Sequence, residues 1–304
     1  MVKHAILTEC FDNLICSENS STALPFCLLT DYKKDFRPDT ESDPQDIFVH
    51  LNIDDIIDVN DYDTTVTLIL TLSIGWKEPR LQILPNSSDW IIEDDGETWV
   101  KLNPQWLQYL WIPDMDILNM KEFKTKMVFN KLASLELYGD KILWYDIPVE
   151  IKLTCPLFRF EDYPLDRQLC ELMVGSYQYY SNEMRYTGSI AYDKKTQRPL
   201  QYQVKSVATL PLHRSIFASK EYWLSDNGTM DSDYYNYSRF VVIIELERAF
   251  QTHAMRTYFP TSLFVVSSWI GFFIDADAIP GRIALSVTLL LVLIGIRYVE
   301  IKMK

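Results

Sequence analysis

Histidine, cysteine and positive charge are all in short supply in this 304-residue sequence. It has four histidines, and none accompanies a motif that carries a nucleophile, so no catalytic constellation is recognisable. Acidic residues outnumber basic ones by 42 to 29, and the resulting formal charge of −13 repels nucleic acid. We therefore expect neither an enzyme nor a nucleic-acid-binding protein.

Five cysteines are present, and only two lie in the part of the chain with strand-like patterning. Cys155 and Cys170 bound the segment CPLFRFEDYPLDRQLC, which has no histidine nearby and no second pair at metal-ligand spacing. A disulfide that closes this loop is a better interpretation than a zinc site, and we expect no metal and no cofactor. Cys10, Cys16 and Cys27 are odd in number, so one of them is either free or paired elsewhere.

The patterning of hydrophobic residues divides the chain into three parts. Residues 1–45 are polar and lack sustained periodicity, and we interpret them as an irregular extension with room for one short helix. Residues 46–253 alternate in short runs such as TTVTLILTLSIGW and YSRFVVIIELER, separated by Asn, Asp, Gly and Pro turns. Because no long amphipathic helix lies between these runs, they predict an all-β, antiparallel, immunoglobulin-like sandwich rather than a parallel α/β sheet.

Residues 254–304 carry two uncharged runs, which predict an α-helical transmembrane region. The first, Thr257–Ile274, has about 18 residues, or roughly 27 Å as a helix, close to the thickness of a bilayer core. A buried core helix is the alternative. The second, Ile283–Ile296, is a shorter run whose small and hydroxylated residues share one helix face. That face suits a pore wall, and close packing between helices is the alternative.

Four N-x-S/T sequons lie in polar stretches and are compatible with glycosylation of an exported surface. They are Asn19, Asn86, Asn227 and Asn236.

Seven short motifs occur in order along the chain. They are GWKEPRL around Trp76, WIPD from Trp111, YGDKILWYDIP from Tyr138, Tyr163-Pro164-Leu165-Asp166, Gly175-Ser176-Tyr177, Leu246-Glu247-Arg248, and SSWIGFFIDADAIPGRIALSVT. With these motifs the sequence, from about Phe48 to its end, resembles the Cys-loop receptor family, whose members are subunits of pentameric ligand-gated ion channels. Tyr163-Pro164-Leu165-Asp166 resembles the family's aromatic-Pro-x-Asp turn, although the loop between the cysteines is one residue longer than usual. WIPD resembles the family's loop A, and Gly175-Ser176-Tyr177 resembles its loop B.

The resemblance implies that a small-molecule agonist binds between neighbouring subunits of the extracellular domain and opens the pore. It assigns to the binding site Tyr177 and Tyr179 near loop B, Tyr234, Tyr235 and Tyr237 in loop C, Leu118 in loop A and Thr71 in loop D. Leu118 and Thr71 stand where relatives often carry aromatic residues, so the aromatic box for a cationic amine is incomplete. Loop C lacks the vicinal cysteines of nicotinic acetylcholine-type principal subunits, and a nicotinic pharmacology is not expected.

The resemblance also assigns residues to coupling and to the pore. Coupling between agonist and pore would run through Tyr163, Pro164, Asp166 and Arg248. In the pore, Leu291 matches a hydrophobic gate, Ala284 and Thr288 line the narrow part, and Arg282 lies at the cytoplasmic end. Pro280-Gly281-Arg282 resembles the Pro-Ala-Arg of anion channels, whereas the acidic net charge favours cations. Anion selectivity is slightly favoured.

On this interpretation the protein is a multi-pass plasma-membrane protein with its N-terminal domain outside the cell. Its partners are the agonist, the lipid bilayer, permeant inorganic ions and four further subunits, identical or different. Only the first two membrane helices lie in the sequence, and Ile296–Glu300 resembles the opening of a third. The alternative is a soluble or orphan ligand-binding sandwich protein without channel activity.

Overall fold

The computed structural model describes residues 7–9, 14–17, 26–29, 31–38, 44–83, 90–93, 96–127, 131–192, 201–210, 216–224, 230–274 and 279–302. Within these ranges the chain is mostly β-structure, as predicted. The strands are β1 (Leu7–Glu9), β2 (Leu14–Ser17), β3 (Phe26–Leu29), β4 (Gln45–Asn60), β5 (Thr65–Lys77), β6 (Gln82–Ile83), β7 (Ile91–Ile92), β8 (Thr98–Leu102), β9 (Asp116–Ile117), β10 (Met120–Thr125), β11 (Ser134–Tyr138), β12 (Ile142–Thr154), β13 (Arg167–Gly175), β14 (Met184–Tyr192), β15 (Tyr202–Thr209), β16 (Ile216–Leu224) and β17 (Met230–Arg248).

The strands form two large sheets and one small one. The larger sheet has eight strands in the order β14-β4-β5-β12-β11-β8-β7, with β10 also paired to β12. The second has five, in the order β15-β17-β13-β9, with β16 paired to β17. Pairing is antiparallel except between β14 and β4, which run parallel. The expectation of a purely antiparallel domain is therefore wrong at this edge, because the pattern of a single strand does not reveal the direction of its partner.

The core lies between the two large sheets. Successive side chains of a strand point to opposite faces, so the apolar residues of each alternating run bury together. On β5 and β12 the fully buried residues include Leu68, Leu70, Val149 and Ile151. Each such side chain contributes about 1.5–3 kcal/mol of hydrophobic free energy. These contacts explain why the runs seen in the sequence become paired strands.

The N-terminal part departs from its predicted irregular character. Its described residues include β1, β2 and β3, which form a four-stranded sheet with β6. Phe26, Cys27 and Leu28 are buried, and Cys27 is disulfide-bonded. Strands of three or four residues are too short to show a periodicity, which is why the sequence pattern did not reveal them.

The chain becomes helical at Phe250, before the boundary expected at residue 254. Helix α1 (Phe250–His253) is followed by a π-helical turn (Ala254–Tyr258), α2 (Phe259–Trp269), a 3-10 turn (Ile270–Phe272) and α3 (Ile279–Lys302). The first apolar run is thus divided among a π-helical, an α-helical and a 3-10 segment instead of forming one regular α-helix. Among the described residues, no helix combines the length and the apolar character required to cross a membrane. The two transmembrane helices stay a prediction.

Candidate ligand-binding site

A cavity of about 490 Å³ lies where the turn after β13 meets the hairpin formed by β16 and β17. Its lining residues are Leu118, Ser176, Tyr177, Gln178, Tyr180, Ser219, Tyr237 and Arg239. Leu118, Tyr177 and Tyr237 were assigned to the binding site from the sequence. The structure thus brings together residues from loops A, B and C that are far apart along the chain.

The carboxylate of Asp114 holds the loop B turn in place. The Ser176 hydroxyl donates to Asp114 Oδ1 at 2.8 Å. The backbone N–H groups of Tyr177 and Gln178 donate to Oδ2 at 2.9 and 2.8 Å. Hydrogen bonds to a charged acceptor are stronger than those between neutral groups, so the Asp114 side chain fixes the conformation of the turn. The Tyr177 side chain is left 82% exposed at the cavity mouth.

Tyr180 contacts two tyrosines of β17, Tyr235 and Tyr237. The rings of Tyr180 and Tyr235 are nearly parallel, with centroids 4.5 Å apart and an interplanar angle of 14°. Tyr237 meets Tyr180 edge-on at 5.3 Å. Such ring pairs contribute about 0.5–1.5 kcal/mol each beyond their buried area. Tyr180 was missed in the sequence because it follows a turn, where alternation no longer predicts which side a residue faces.

Four residues assigned to the site do not line the cavity. One of them, Tyr235, stacks on Tyr180, which does line it. Tyr179 packs against the core, with the Arg37 guanidinium 5.9 Å from its ring. Tyr234 is 67% exposed and its ring lies 5.9 Å from the Lys220 ammonium. Thr71 lies in the other large sheet, within β5. The cavity wall therefore uses Tyr180 where the sequence suggested Tyr179.

Arg239 places a positive charge in the cavity wall. Its guanidinium carbon lies 4.7 Å from the centroid of the Phe217 ring. Among the described residues no carboxylate forms an ion pair with it. Burial lowers the pKa of Arg239, which still stays protonated at neutral pH because an arginine titrates far above it. At Gly175, a Cβ would lie 3.1 Å from Arg239 Cγ, so glycine there leaves room for the arginine stem.

At the other end of β17, Arg248 is the centre of a buried ion-pair network. Its Nε donates to Asp166 Oδ1 at 2.6 Å, and its Nη2 donates to Asp166 Oδ2 at 3.0 Å. Nη2 also donates to Asp61 Oδ2 at 2.9 Å. The side chains of Arg248 and Asp166 are 3% and 1% exposed. The structure thus joins two of the four residues assigned to coupling and adds Asp61, which the sequence did not single out.

Two tyrosines complete this network. The Tyr202 hydroxyl donates to Asp61 Oδ1 at 2.7 Å and accepts a hydrogen bond from Arg248 Nη2. The ring of Tyr163 lies 4.9 Å from the guanidinium carbon, and that of Tyr202 lies 4.5 Å from it. Tyr163 belongs to the loop closed by the Cys155–Cys170 disulfide and is joined to Pro164 by a cis peptide bond. This loop, the turn after β4 and the end of β17 therefore meet at one arginine.

The network shifts the pKa values of its members. Burial disfavours the charged carboxylate of Asp166, but the hydrogen bonds from Arg248 and Gln168 outweigh it, so the pKa of Asp166 is lowered. Burial likewise disfavours the charged guanidinium of Arg248, but its bond to Asp166 and the negative partners around it raise the pKa overall. Both groups are held in their charged forms at neutral pH.

Among the described residues, those assigned to the pore and to glycosylation neither line the cavity nor bond to Arg248. Arg282, Ala284, Thr288 and Leu291 are exposed on α3, and the Thr288 hydroxyl donates to the Ala284 carbonyl one turn earlier. Asn236 is exposed on β17. Cys10 and the sequons at Asn19, Asn86 and Asn227 lie outside the described residues.

Residues 22–250 match the family described as the neurotransmitter-gated ion-channel ligand binding domain. The chain belongs to this family, that of the Cys-loop receptors, whose members are receptor subunits and not enzymes.

Individual relatives are distant. The chain is 27% identical to "Gamma-aminobutyric acid receptor subunit pi" of Mus musculus, over 92% of this chain and 58% of the relative. It is 26% identical to "Glutamate-gated chloride channel" of Drosophila melanogaster, over 82% and 49%. It is 25% identical to "Ligand-gated ion channel 50" of Caenorhabditis elegans, over 91% and 52%. The chain thus spans between about half and three-fifths of the length of these relatives.

Proposed function

We propose that the protein is a subunit of a pentameric ligand-gated anion channel whose agonist binds in the cavity formed by loops A, B and C. The observation that carries the proposal is this cavity, which lies within the residues that match the ligand-binding family. Agonist binding between subunits would shift the equilibrium from a closed to an open pore, by as much as the agonist prefers the open state.

The cavity chemistry favours an agonist that carries a carboxylate. Arg239 is charged and has no carboxylate partner among the described residues, so an anionic group can occupy that position. Tyr177 and Tyr237 line the same cavity, and aromatic rings can contact an ammonium group. A small zwitterionic amino acid fits both features. The names of the relatives, a γ-aminobutyric acid receptor subunit and a glutamate-gated chloride channel, agree with this ligand class.

Strand β17 offers a direct route from the cavity to the pore. It carries Tyr237 and Arg239 at the cavity and Arg248 in the buried network, and α1 begins two residues after it ends. A displacement of the β16–β17 hairpin on agonist binding would be transmitted along a paired strand to the loop that holds Tyr163. The coupling role of Tyr163, Pro164, Asp166 and Arg248 is part of this proposal.

Anion selectivity is favoured by the start of α3. This helix begins at Ile279, which puts Pro280, Gly281 and Arg282 in its first turn. Thr288 and Leu291 would face the pore from further along the same helix. The net charge of −13 acts in the opposite direction, but selectivity is set where the ion is least hydrated. The relative named as a chloride channel supports the same choice.

The proposal includes a plasma-membrane location with the sandwich outside the cell. Four further subunits, identical or different, would complete the pentamer, and the helices after Phe250 would contact lipid. The sequon at Asn236 is exposed, which is compatible with a glycan on the outer surface.

Voltage-clamp recording from cells that express the full-length chain tests this function. We expect γ-aminobutyrate or glutamate to evoke a current, and a simple alkylamine without a carboxylate to evoke none. Replacing external chloride by a large organic anion should move the reversal potential as expected for an anion conductance. If pentamers reach the surface but no ligand evokes current, the protein is an orphan or auxiliary subunit instead. A movement of the reversal potential with sodium would contradict anion selectivity.

A further inference from the structure

Residues 31–38, here called the N-terminal strap, contact the back of loop A. The hydroxyl of Tyr32 accepts the backbone N–H of Trp111 at 2.7 Å and donates to Glu78 Oε2 at 3.0 Å. Trp111 opens the WIPD segment, and Asp114 in that segment holds the loop B turn. The strap therefore reaches the cavity loops through the backbone of loop A.

The ion pair between Arg80 and the buried carboxylate of Glu78 fixes the position of Tyr32. Glu78 is fully buried, and both of its oxygens are bonded by Arg80, from Nε at 2.7 Å and from Nη2 at 2.6 Å. The Arg80 guanidinium lies 4.4 Å from the centroid of the Tyr32 ring. It also donates to the strap carbonyls of Lys33 and Phe36 at 3.0 and 3.1 Å. The strap is therefore anchored to the sandwich by a charged group, which makes it a fixed support.

The other end of the strap contacts the segment after loop B. Arg37 Nη1 donates to the carbonyl of Glu183, and its guanidinium lies 5.9 Å from the Tyr179 ring. The carboxylate of Glu183 in turn accepts the backbone N–H of Tyr180 at 3.1 Å. Tyr180 lines the cavity, whereas Arg37 and Tyr32 do not.

We propose that the N-terminal strap is a positioning element for the ligand cavity, in which Tyr32 holds loop A and Arg37 holds the end of loop B from the side away from the ligand. This inference rests on the proposed function only in taking the cavity as the agonist site. A ligand that meets loops already in place does not have to order them, so its apparent affinity is higher. Tyr32 and Arg37 act through other residues and touch no ligand.

Hydrogen exchange of the purified full-length protein, measured by mass spectrometry, tests the positioning role without any agonist. Tyr32→Phe keeps the ring below Arg80 but removes the acceptor of the Trp111 N–H, so the loop A peptide should exchange about fivefold faster. Arg37→Gln should speed exchange of residues 177–184 by a similar factor. Arg37→Lys, which keeps a charged donor, should restore part of the protection. The matched control is Lys33→Gln, an exposed residue of the strap whose ammonium lies over Phe36.

The same variants should shift the agonist response. In voltage clamp with γ-aminobutyrate or glutamate, Tyr32→Phe and Arg37→Gln should raise the half-activating concentration about three- to tenfold with the maximal current retained. Lys33→Gln should leave it unchanged.

The outcomes separate the two proposals. Faster exchange confined to loops A and B supports the strap as a positioning element, even if no ligand opens a channel in any variant; in that case the proposed function alone fails. Exchange that rises evenly over both sheets overturns the positioning role and makes the strap a general stabiliser. Exchange that does not rise overturns the positioning role outright. If Arg37→Gln does not fold, Arg37→Lys and Tyr32→Phe still carry the test.

Discussion

Strand β17 bears an arginine at each of two sites, nine residues or about 30 Å apart along the strand. Arg248 is buried and bonded by two carboxylates, a hydroxyl and two ring faces. Arg239 lies in a cavity wall with a ring beside it and no carboxylate partner among the described residues. The same residue type therefore serves a closed structural site at one end and an open site at the other.

The difference agrees with the proposal that this one strand both binds the agonist and transmits its effect. A buried charge that is fully paired is costly to disturb, so we expect the Arg248 end to be stiff and to move as a unit with the loop that holds Tyr163. Arg239 has no carboxylate partner among the described residues, so it can bind an anionic ligand without first losing an ion pair. If this comparison is right, substitutions at the two ends should separate stability from ligand response.

The largest effect is expected for Arg248→Gln. It leaves Asp166 buried without its positive partner, and breaking a buried ion pair in this way typically costs about 3–5 kcal/mol. Thermal unfolding of the purified full-length protein should show a large fall in the midpoint, with a matching loss of surface yield. Arg167→Gln is the matched control, because Arg167 is 53% exposed and its ion pairs should contribute less than about 1 kcal/mol. Equal midpoints for the two variants would show that the network is not structural.

Acid should also lower the stability that the Asp166–Arg248 ion pair contributes, by less than Arg248→Gln does. Because the pKa of Asp166 is lowered on folding, its stabilisation is complete above the unfolded carboxyl pKa of 3.8. It is lost as the pH falls from there through the lowered pKa of the folded protein. The unfolding midpoint, measured from pH 7 to pH 3, should therefore decline more in the parent protein than in Asp166→Asn. Parallel declines would contradict the assignment.

At the open end, Arg239→Gln should alter ligand response and leave stability nearly unchanged. A hydrogen bond to a charged group contributes about 1.5–3 kcal/mol, so the half-activating concentration of a carboxylate agonist should rise roughly 10- to 100-fold. Concentration–response curves in voltage clamp measure this shift. Arg185→Gln, which removes an exposed arginine of β14, is the control. A collapse of the unfolding midpoint in Arg239→Gln would break the comparison between the two ends.

The smallest effect is expected at Tyr180. Tyr180→Leu removes the ring that contacts Tyr237, a residue of the cavity wall. That contact contributes about 0.5–1.5 kcal/mol, so the half-activating concentration should rise about two- to tenfold. Tyr180→Phe keeps the ring and should behave almost like the parent protein. Tyr234→Leu removes an exposed ring that does not line the cavity and should have no effect. An equal shift in Tyr180→Leu and Tyr234→Leu would count against the cavity as the site.

Local sequence signals predicted much of the fold and part of the site. Alternation predicted the long strands, and the cysteine spacing predicted the disulfide-closed loop, because both depend on neighbouring residues. The motif positions Tyr177 and Tyr237 lie at the cavity, and Tyr163 and Asp166 lie at Arg248. Residues outside a motif were missed. Asp61, for instance, lies 187 positions before its partner Arg248 and shares no local pattern with it.

The sequence alone determined that the chain before Phe250 is mostly β, that the cysteine loop is closed by a disulfide and that the C-terminal part carries apolar runs. Periodicity and spacing are properties of short segments. Only the tertiary structure decided that Tyr180 and not Tyr179 lines the cavity and that Arg239 lies in its wall. The contacts of the strap, from Tyr32 to Trp111 and from Arg37 to Glu183, were likewise visible only there. These placements depend on which strands pair and on how turns direct side chains. Such contacts join segments far apart in the chain, and no local pattern records them.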